Sequence, residues 1–226
     1  MRRSFLFALL LVLTPAAAVP ARAAGPAPDA ARSAQDLQAL LHRIETRYRA
    51  LPSFKVPFTQ RYTSSTFGAR DEARGTLHVV PPSRMLWLYD VPEGQRGALD
   101  GDRYWLIDPE ERQVTVRARG AGGSDPLTDL LSGRLDLGKV FAAEPLPRGE
   151  AAGRTLLQLL PRTPRDDMER AVLEVDEKDG TVRRLDVEDP LGNRFEYFLG
   201  APVAAPAPPA SAFKLVVPAG YTESRD

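Results

Sequence analysis

The chain has 226 residues, enough for one domain of ordinary size and tight for two. Thirty basic residues balance thirty acidic ones, and no basic stripe stands out, so nucleic acid is not expected as a partner. There is no cysteine, which removes disulfides, thiolate nucleophiles, Cys-based metal sites and the residue at which a bacterial lipoprotein is acylated.

Arg2 and Arg3, the apolar run from Phe5 to Leu13 and the triplet Ala21-Arg22-Ala23 read as a cleaved secretory leader over residues 1–23. The run is too short to span a bilayer and no second run is long enough, so residues 24–226 are expected to form a single soluble domain beyond the inner membrane. Without Arg2, Arg3 and Arg22, 27 basic residues face 30 acidic ones, a slightly acidic product. Residues 24–32 are rich in Ala and Pro and read as a flexible tail. Ser33, with Asp36 three positions on, is an N-cap signal. Leu37, Leu40, Leu41, Ile44 and Tyr48 then recur at helical steps, which predicts a helix over residues 34–50.

From Phe54 the period changes to two. Phe54, Val56 and Phe58 alternate with polar or turn residues, as do Leu77 and Val79, Val114 and Val116, Leu173 and Val175, Phe195 and Tyr197, and Phe213, Leu215 and Val217. Each run predicts a half-buried antiparallel strand. Asp100-Gly101, Asp179-Gly180 and Gly192-Asn193 supply the turns between strands. Many short strands at this spacing predict a sheet that curls or closes. Asp125, as N-cap, and Pro126 at the first helical position introduce a short helix through Leu131. Residues 201–210 read as a stiff, extended Ala/Pro linker before the last strand.

Catalytic and metal chemistry find no support. His42 and His78 are the two histidines, both read as surface or rim residues, and neither has a partner at metal-ligand spacing. Gly120, Gly122 and Gly123 lie in a polar loop rather than after a strand, and no Ser occupies a nucleophile elbow. Asp166-Asp167 and Asp100 with Asp102 fit turns or solvated faces.

The informative block is residues 75–109. Met85, Trp87 and Tyr89 share one face of a strand while Leu86 and Leu88 share the other, so both faces need cover. Trp105 and Ile107 alternate in the same way with Tyr104 and Leu106. One face of a single curved sheet can pack a helix while the other lines a cavity. The competing reading is a two-layer core with both faces filled.

Several motifs recur in an order that resembles the LolA family of periplasmic lipoprotein carriers. They are Phe58-Thr59-Gln60, Gly75-x-Leu77-x-Val79 followed by Pro82 and Trp87, the Asp100-Gly101 turn, Trp105, Asp108-Pro109, Asp125-Pro126, and Phe213-x-Leu215-x-x-Pro218-x-Gly220. The match runs in order over residues 33–222. The resemblance implies a mainly β fold with few helices: an incomplete, half-open antiparallel barrel, with the N-terminal helix and the short internal helix as a lid. It implies an apolar interior for the acyl chains of a lipoprotein in transit, accepted from the inner-membrane transporter LolCDE and handed to the outer-membrane receptor LolB or its equivalent, with no cofactor. Carried onto this chain, the lipid-facing residues are Phe58, Leu77, Val79, Met85, Trp87, Tyr89, Trp105 and Ile107, and the lid contacts are Leu127, Leu130 and Leu131. Met85, flexible and polarisable, is placed at the mouth. A monomer in the periplasm is expected.

Two features depart from the family pattern. Where the family often carries a basic residue before the Pro of the second strand turn, this chain has Pro81, and the nearest base is Arg84. The linker at 201–210 replaces a more ordinary connection. A lipoprotein sensor or carrier of other lipids on the same half-barrel, and a periplasmic hydrolase with an unrecognised site, are the alternatives to a carrier.

Overall fold

A computed structural model describes residues 28–68, 70–101, 103–118, 126–147 and 151–225. The expected leader, Asp102, the glycines at 120, 122 and 123, and Asp125 lie outside the described residues.

Chain order begins with α1 (Pro28–Arg49), β1 (Phe54–Thr63), β2 (Arg70–Val80), β3 (Arg84–Val91), β4 (Arg96–Asp100), β5 (Arg103–Asp108) and β6 (Gln113–Ala118). Two short helices follow, α2 (Pro126–Leu131) and α3 (Leu137–Val140). The rest is strand: β7 (Phe141–Pro145), β8 (Arg154–Pro161), β9 (Arg170–Asp176), β10 (Val182–Glu188), β11 (Arg194–Leu199), β12 (Val203–Ala204) and β13 (Thr222–Arg225).

The strands form one sheet in the order β13-β6-β5-β4-β3-β2-β1-β11-β10-β9-β8-β7, with β12 as a further partner of β1. Pairing is antiparallel throughout except at the edge, where β13 runs parallel to β6. The outer strands β13 and β7 do not meet, so the sheet curls without closing. This is the incomplete barrel that the resemblance implies.

Register assigns the faces, because residues directly opposite in a ladder share one side. Phe54, Val79, Met85, Leu99 and Tyr104 follow one another across β1 to β5 and mark the concave side. That side carries the main core, from Phe54, Val56 and Leu77 through Leu157, Leu173 and Leu185 to the helices. Leu86, Ala98 and Trp105 are the next row over and mark the convex side. There they form a second, smaller core with Val80 and Phe213. The doubly apolar strand β3 is thus covered on both faces at Met85 and Leu86, whereas Leu88 is exposed on the convex side.

The first helix is Pro28–Arg49 and Ser33 lies inside it, so the N-cap at Ser33 and the tail read over residues 28–32 are corrected, while residues 24–27 lie outside the described residues. Pro28 at the first helical position, Asp29 in the first turn and Ala30 and Ala31 after it support that earlier start. Leu40, Leu41, Ile44 and Tyr48 are buried on the sheet, as the helical spacing predicts. The Tyr48 hydroxyl accepts from the Val182 backbone N–H at 3.0 Å. Burial pushes its pKa up to about 12. Arg43 donates to the Glu177 carbonyl, and Glu45 Oε1 accepts from Leu137 N–H at 2.8 Å. Gly180, at φ 74°, lets the β9–β10 turn touch this helix: a Cβ there would sit 2.8 Å from the Arg43 backbone.

The C-terminal strand read at Phe213, Leu215 and Val217 is absent. Phe213 ends a 3-10 turn (Ala210–Phe213), Val216 is 76% exposed, and the last strand is Thr222–Arg225. Phe213 and Leu215 satisfy their apolar character by packing on the convex cluster with Trp105 and Leu86 rather than by pairing in a ladder. The linker is extended, but it is not free of the sheet: Val203 and Ala204 pair with Lys55 and Phe54.

Trp105 fixes this segment. Its indole N–H donates to the Phe213 carbonyl at 2.8 Å, and the Arg96 guanidinium lies over its ring at 5.8 Å. Trp105→Ala is expected to cost about 3–5 kcal/mol of stability. Urea unfolding should show that loss, with ligand affinity of the concave cavity changed less than about twofold.

Candidate functional site

The helices cover only part of the concave face. Leu127, Leu130 and Leu131 of α2 join the core beside Ile44 and Leu41 of α1. Past them, toward β3–β6 on one side and β10–β11 on the other, a cavity of about 910 Å³ remains open. That volume falls in the usual range for small-molecule pockets, roughly 300–1,000 Å³.

Its walls are aromatic and aliphatic. Trp87 and Tyr89 come from β3, Leu99 from β4, Tyr104 and Leu106 from β5, Val187 from β10, and Phe195 and Tyr197 from β11. The rings brace one another: Trp87 meets Tyr104 edge-on at 5.7 Å, and Tyr62 tilts against Phe195 at 4.9 Å. Behind the wall Phe58 meets Tyr89 edge-on at 5.3 Å. Such contacts hold large side chains in place while their tyrosine hydroxyls can face water. Gly97 keeps the floor low, since a Cβ there would come within 3.3 Å of Leu106 and 3.5 Å of the Tyr104 hydroxyl.

The margin is polar. Gln60, Asp71, Glu72, Asp108, Glu110, Arg117 and Asp167 border the opening. Some are engaged: Glu72 pairs with Arg61 at 2.8 Å, and Asp167 holds Arg165 through two bonds of 2.8 and 2.7 Å. The Asp167 carboxylate holds the Arg165 guanidinium above its ordinary pKa. Asp108 turns its carboxylate onto the N–H groups of Glu110 and Glu111, shaping the β5–β6 turn. An apolar interior with a hydrogen-bonding rim suits an amphiphile whose tail is buried and whose head stays wet. Among the described residues no cluster of three or more His, Asp or Glu has metal-binding geometry.

Of the residues predicted to meet lipid, Trp87 and Tyr89 line this cavity. Phe58, Leu77, Val79 and Met85 share the concave face but belong to its filled part. Met85 is 1% exposed, so it is a core residue and not the mouth. Trp105 and Ile107 project from the convex side, packed with Phe213 and Leu215, and the inward orientation read for them is corrected. The β3–β4 and β4–β5 registers are the reason: they set Met85 opposite Leu99, and Leu99 opposite Tyr104. Sequence reading missed Leu99, Tyr104 and Leu106, and it took Phe195 and Tyr197 only as strand residues. His78 is half-buried on the convex side, and burial followed by the charge of Lys55 lowers its pKa. His42 is exposed, 3.4 Å from the Thr46 hydroxyl.

Arg84, the nearest base to Pro81, lies over the Phe213 ring at 5.1 Å, on the side away from the helices. The first helix is fastened instead by the Tyr48, Arg43 and Glu45 contacts and by Arg47, 3.9 Å from Asp179.

A family model described as outer membrane lipoprotein carrier protein LolA matches residues 49–216. The chain is 32% identical over 169 residues to an outer-membrane lipoprotein carrier protein of Dechloromonas aromatica, covering 74% of this chain and 79% of that one. It is 31% identical over 155 residues to a protein of the same description from Xanthomonas oryzae pv. oryzae, covering 67% and 71%. Among solved structures, an uncharacterized conserved protein from Thermus thermophilus shares the fold at a TM-score of 0.52 and 10% identity, covering 85% of this chain and 100% of that one.

Proposed function

The chain belongs to the LolA family of outer-membrane lipoprotein carriers, and from that membership we propose that it is a periplasmic carrier holding the acyl chains of lipoproteins in its concave cavity. In this proposal residues 1–23 serve as the export leader and residues 24–226 as a LolA-like carrier domain. Cargo is taken from the inner-membrane transporter LolCDE and given to LolB, or its equivalent, at the outer membrane. The observation that carries this reading is the aromatic cavity that the helices leave uncovered.

The physics explains both why a carrier is needed and how it lets go. Each methylene kept from water is worth about 0.8 kcal/mol, so a free acyl chain stays in the membrane it starts in. Trp87, Tyr104 and Phe195 can take up such a chain without a specific polar match. Much of the concave face is already filled by Leu77, Val79, Met85 and the helices, so only the remaining cavity contributes contact. Affinity limited in this way lets an acceptor with a better site complete the transfer. The rim is positioned to solvate the glyceryl and peptide parts of the cargo.

The test is release. Inner-membrane vesicles loaded with a lipoprotein and containing the transporter are given ATP and the purified protein. The expected result is a soluble complex of lipoprotein and carrier. Lipoprotein that stays in the vesicle pellet at saturating protein would sink the proposal.

A further inference from the structure

At the end of β1 and β11 two turns stand side by side, and each presents a large apolar side chain to solvent. Phe67, in the β1–β2 turn, is 84% exposed, and Leu191, in the β10–β11 turn, is 79% exposed. The turns are joined to each other. Ser65 N–H donates to Asn193 Oδ1 at 3.1 Å, and the Ser65 hydroxyl donates to the Leu191 carbonyl at 2.7 Å. Asp189 braces the second turn from within, its carboxylate accepting from Leu191 N–H and from the backbone and side-chain N–H groups of Asn193. Two exposed hydrophobes on separate loops would usually be incidental. Here a hydrogen-bonded frame holds them at one tip.

The surroundings of the tip indicate what it meets. Thr63 pairs with Arg70 on one side and with Arg194 on the other, so both exposed arginines stand on one face just behind the apolar point. The next residues inward, Tyr62, Asp71 and Phe195, belong to the wall and rim of the cavity. An apolar point backed by guanidinium groups is the pattern of a side chain that enters the interfacial layer of a bilayer while cations meet anionic headgroups.

We infer that the paired tip of Phe67 and Leu191 is a foot that seats on an anionic phospholipid surface and brings the adjoining cavity to the membrane. The purpose of the foot rests on the lipid-carrier reading, but the contact itself does not. Two side chains bury less apolar surface than one acyl chain, and a single myristoyl chain already binds only marginally. Contact is therefore brief, which allows a carrier to leave again.

The chain lacks cysteine, so Phe67→Cys provides a unique attachment point for an environment-sensitive nitrobenzoxadiazole dye. Vesicles of phosphatidylethanolamine with a quarter phosphatidylglycerol should shift its emission to the blue and raise its intensity. Phosphatidylcholine vesicles should do so more weakly. Lys178→Cys, at the opposite end of β10, should show no change. In flotation, Phe67→Ser with Leu191→Ser should bind the anionic vesicles at least tenfold less, and Arg70→Gln with Arg194→Gln should remove the preference for anionic lipid. The inference is overturned if the dye at position 67 does not respond, if position 178 responds equally, or if the serine variant floats like the parent. It is also overturned if that variant binds vesicles normally yet fails in lipoprotein transfer, which would assign the tip to a protein partner. Binding of a fluorescent fatty acid by the serine variant should be unchanged, so failure of the foot and failure of the cavity are told apart.

Discussion

Leu106→Glu is expected to abolish acyl-chain binding while leaving the domain folded. Leu106 is half-buried, on β5, facing the open part of the concave side beside Tyr104 and across from Gly97. A glutamate placed there reaches water when the cavity is empty, so the unliganded protein loses little. When an alkyl chain occupies the cavity, the carboxylate is stripped of water with nothing to pair it. The penalty is about 3 kcal/mol, on the order of a hundredfold in dissociation constant. Titration with a fluorescent fatty acid reads this directly, and an unchanged urea midpoint shows that the fold survives. Binding within twofold of the parent would mean that the cavity is not the lipid site.

Met85→Glu should fail in the opposite way. Met85 is 1% exposed, and its ladder partners Val79 and Leu99 are buried on the same face. Truncating such a side chain costs about 2–5 kcal/mol, and an unpaired carboxylate buried in its place adds a further 3–5 kcal/mol. Set against a total stability of about 5–15 kcal/mol, the variant should be unfolded or close to it at 25 °C. Met85→Leu, which nearly conserves volume, should cost less than about 1.5 kcal/mol. Circular dichroism and urea unfolding separate these outcomes. A folded Met85→Glu protein that merely lost lipid binding would return Met85 to the mouth of the cavity.

These two residues mark how far the sequence could be read. Period-two alternation announced β1, β2, β6, β9 and β11, because a half-buried strand must alternate, while the Asp-Gly and Gly-Asn turns announced hairpins. The helix under the sheet was visible in Leu40, Leu41, Ile44 and Tyr48 for the same reason. Orientation was less visible. A slip of one residue exchanges the two faces of a strand, and in β5 both rows are apolar: Tyr104 and Leu106 against Trp105 and Ile107. Aromatic bulk favoured Trp105, yet the register through β3 and β4 makes Tyr104 the inward residue. On β4 the inward row is Gly97 and Leu99, and Gly97 leaves Leu99 as its single side chain to announce that row. Strands β7 and β8 were unread because Phe141-Ala142-Ala143 and Leu156-Leu157-Gln158-Leu159-Leu160 do not alternate cleanly. The C-terminal segment misled because alternation at Phe213, Leu215 and Val217 also suits a segment laid across the convex face, where Phe213 and Leu215 pack without a ladder.

The place of β1 in the sheet order has a consequence for how the chain acquires its shape. Phe58 pairs with Gly75 on one side and with Leu199 on the other, the second partner more than a hundred residues later in the chain. Such a contact closes a large loop, and folds dominated by distant pairings form slowly. A chain that emerges from its N-terminus first therefore holds β1 with one edge unsatisfied until residues 194–199 arrive. Phe54, Val56 and Phe58 stay uncovered for the same interval, in a segment apt to pair with the wrong strand. The strand at the centre of the finished sheet is thus the part of the nascent chain that most needs a holding chaperone.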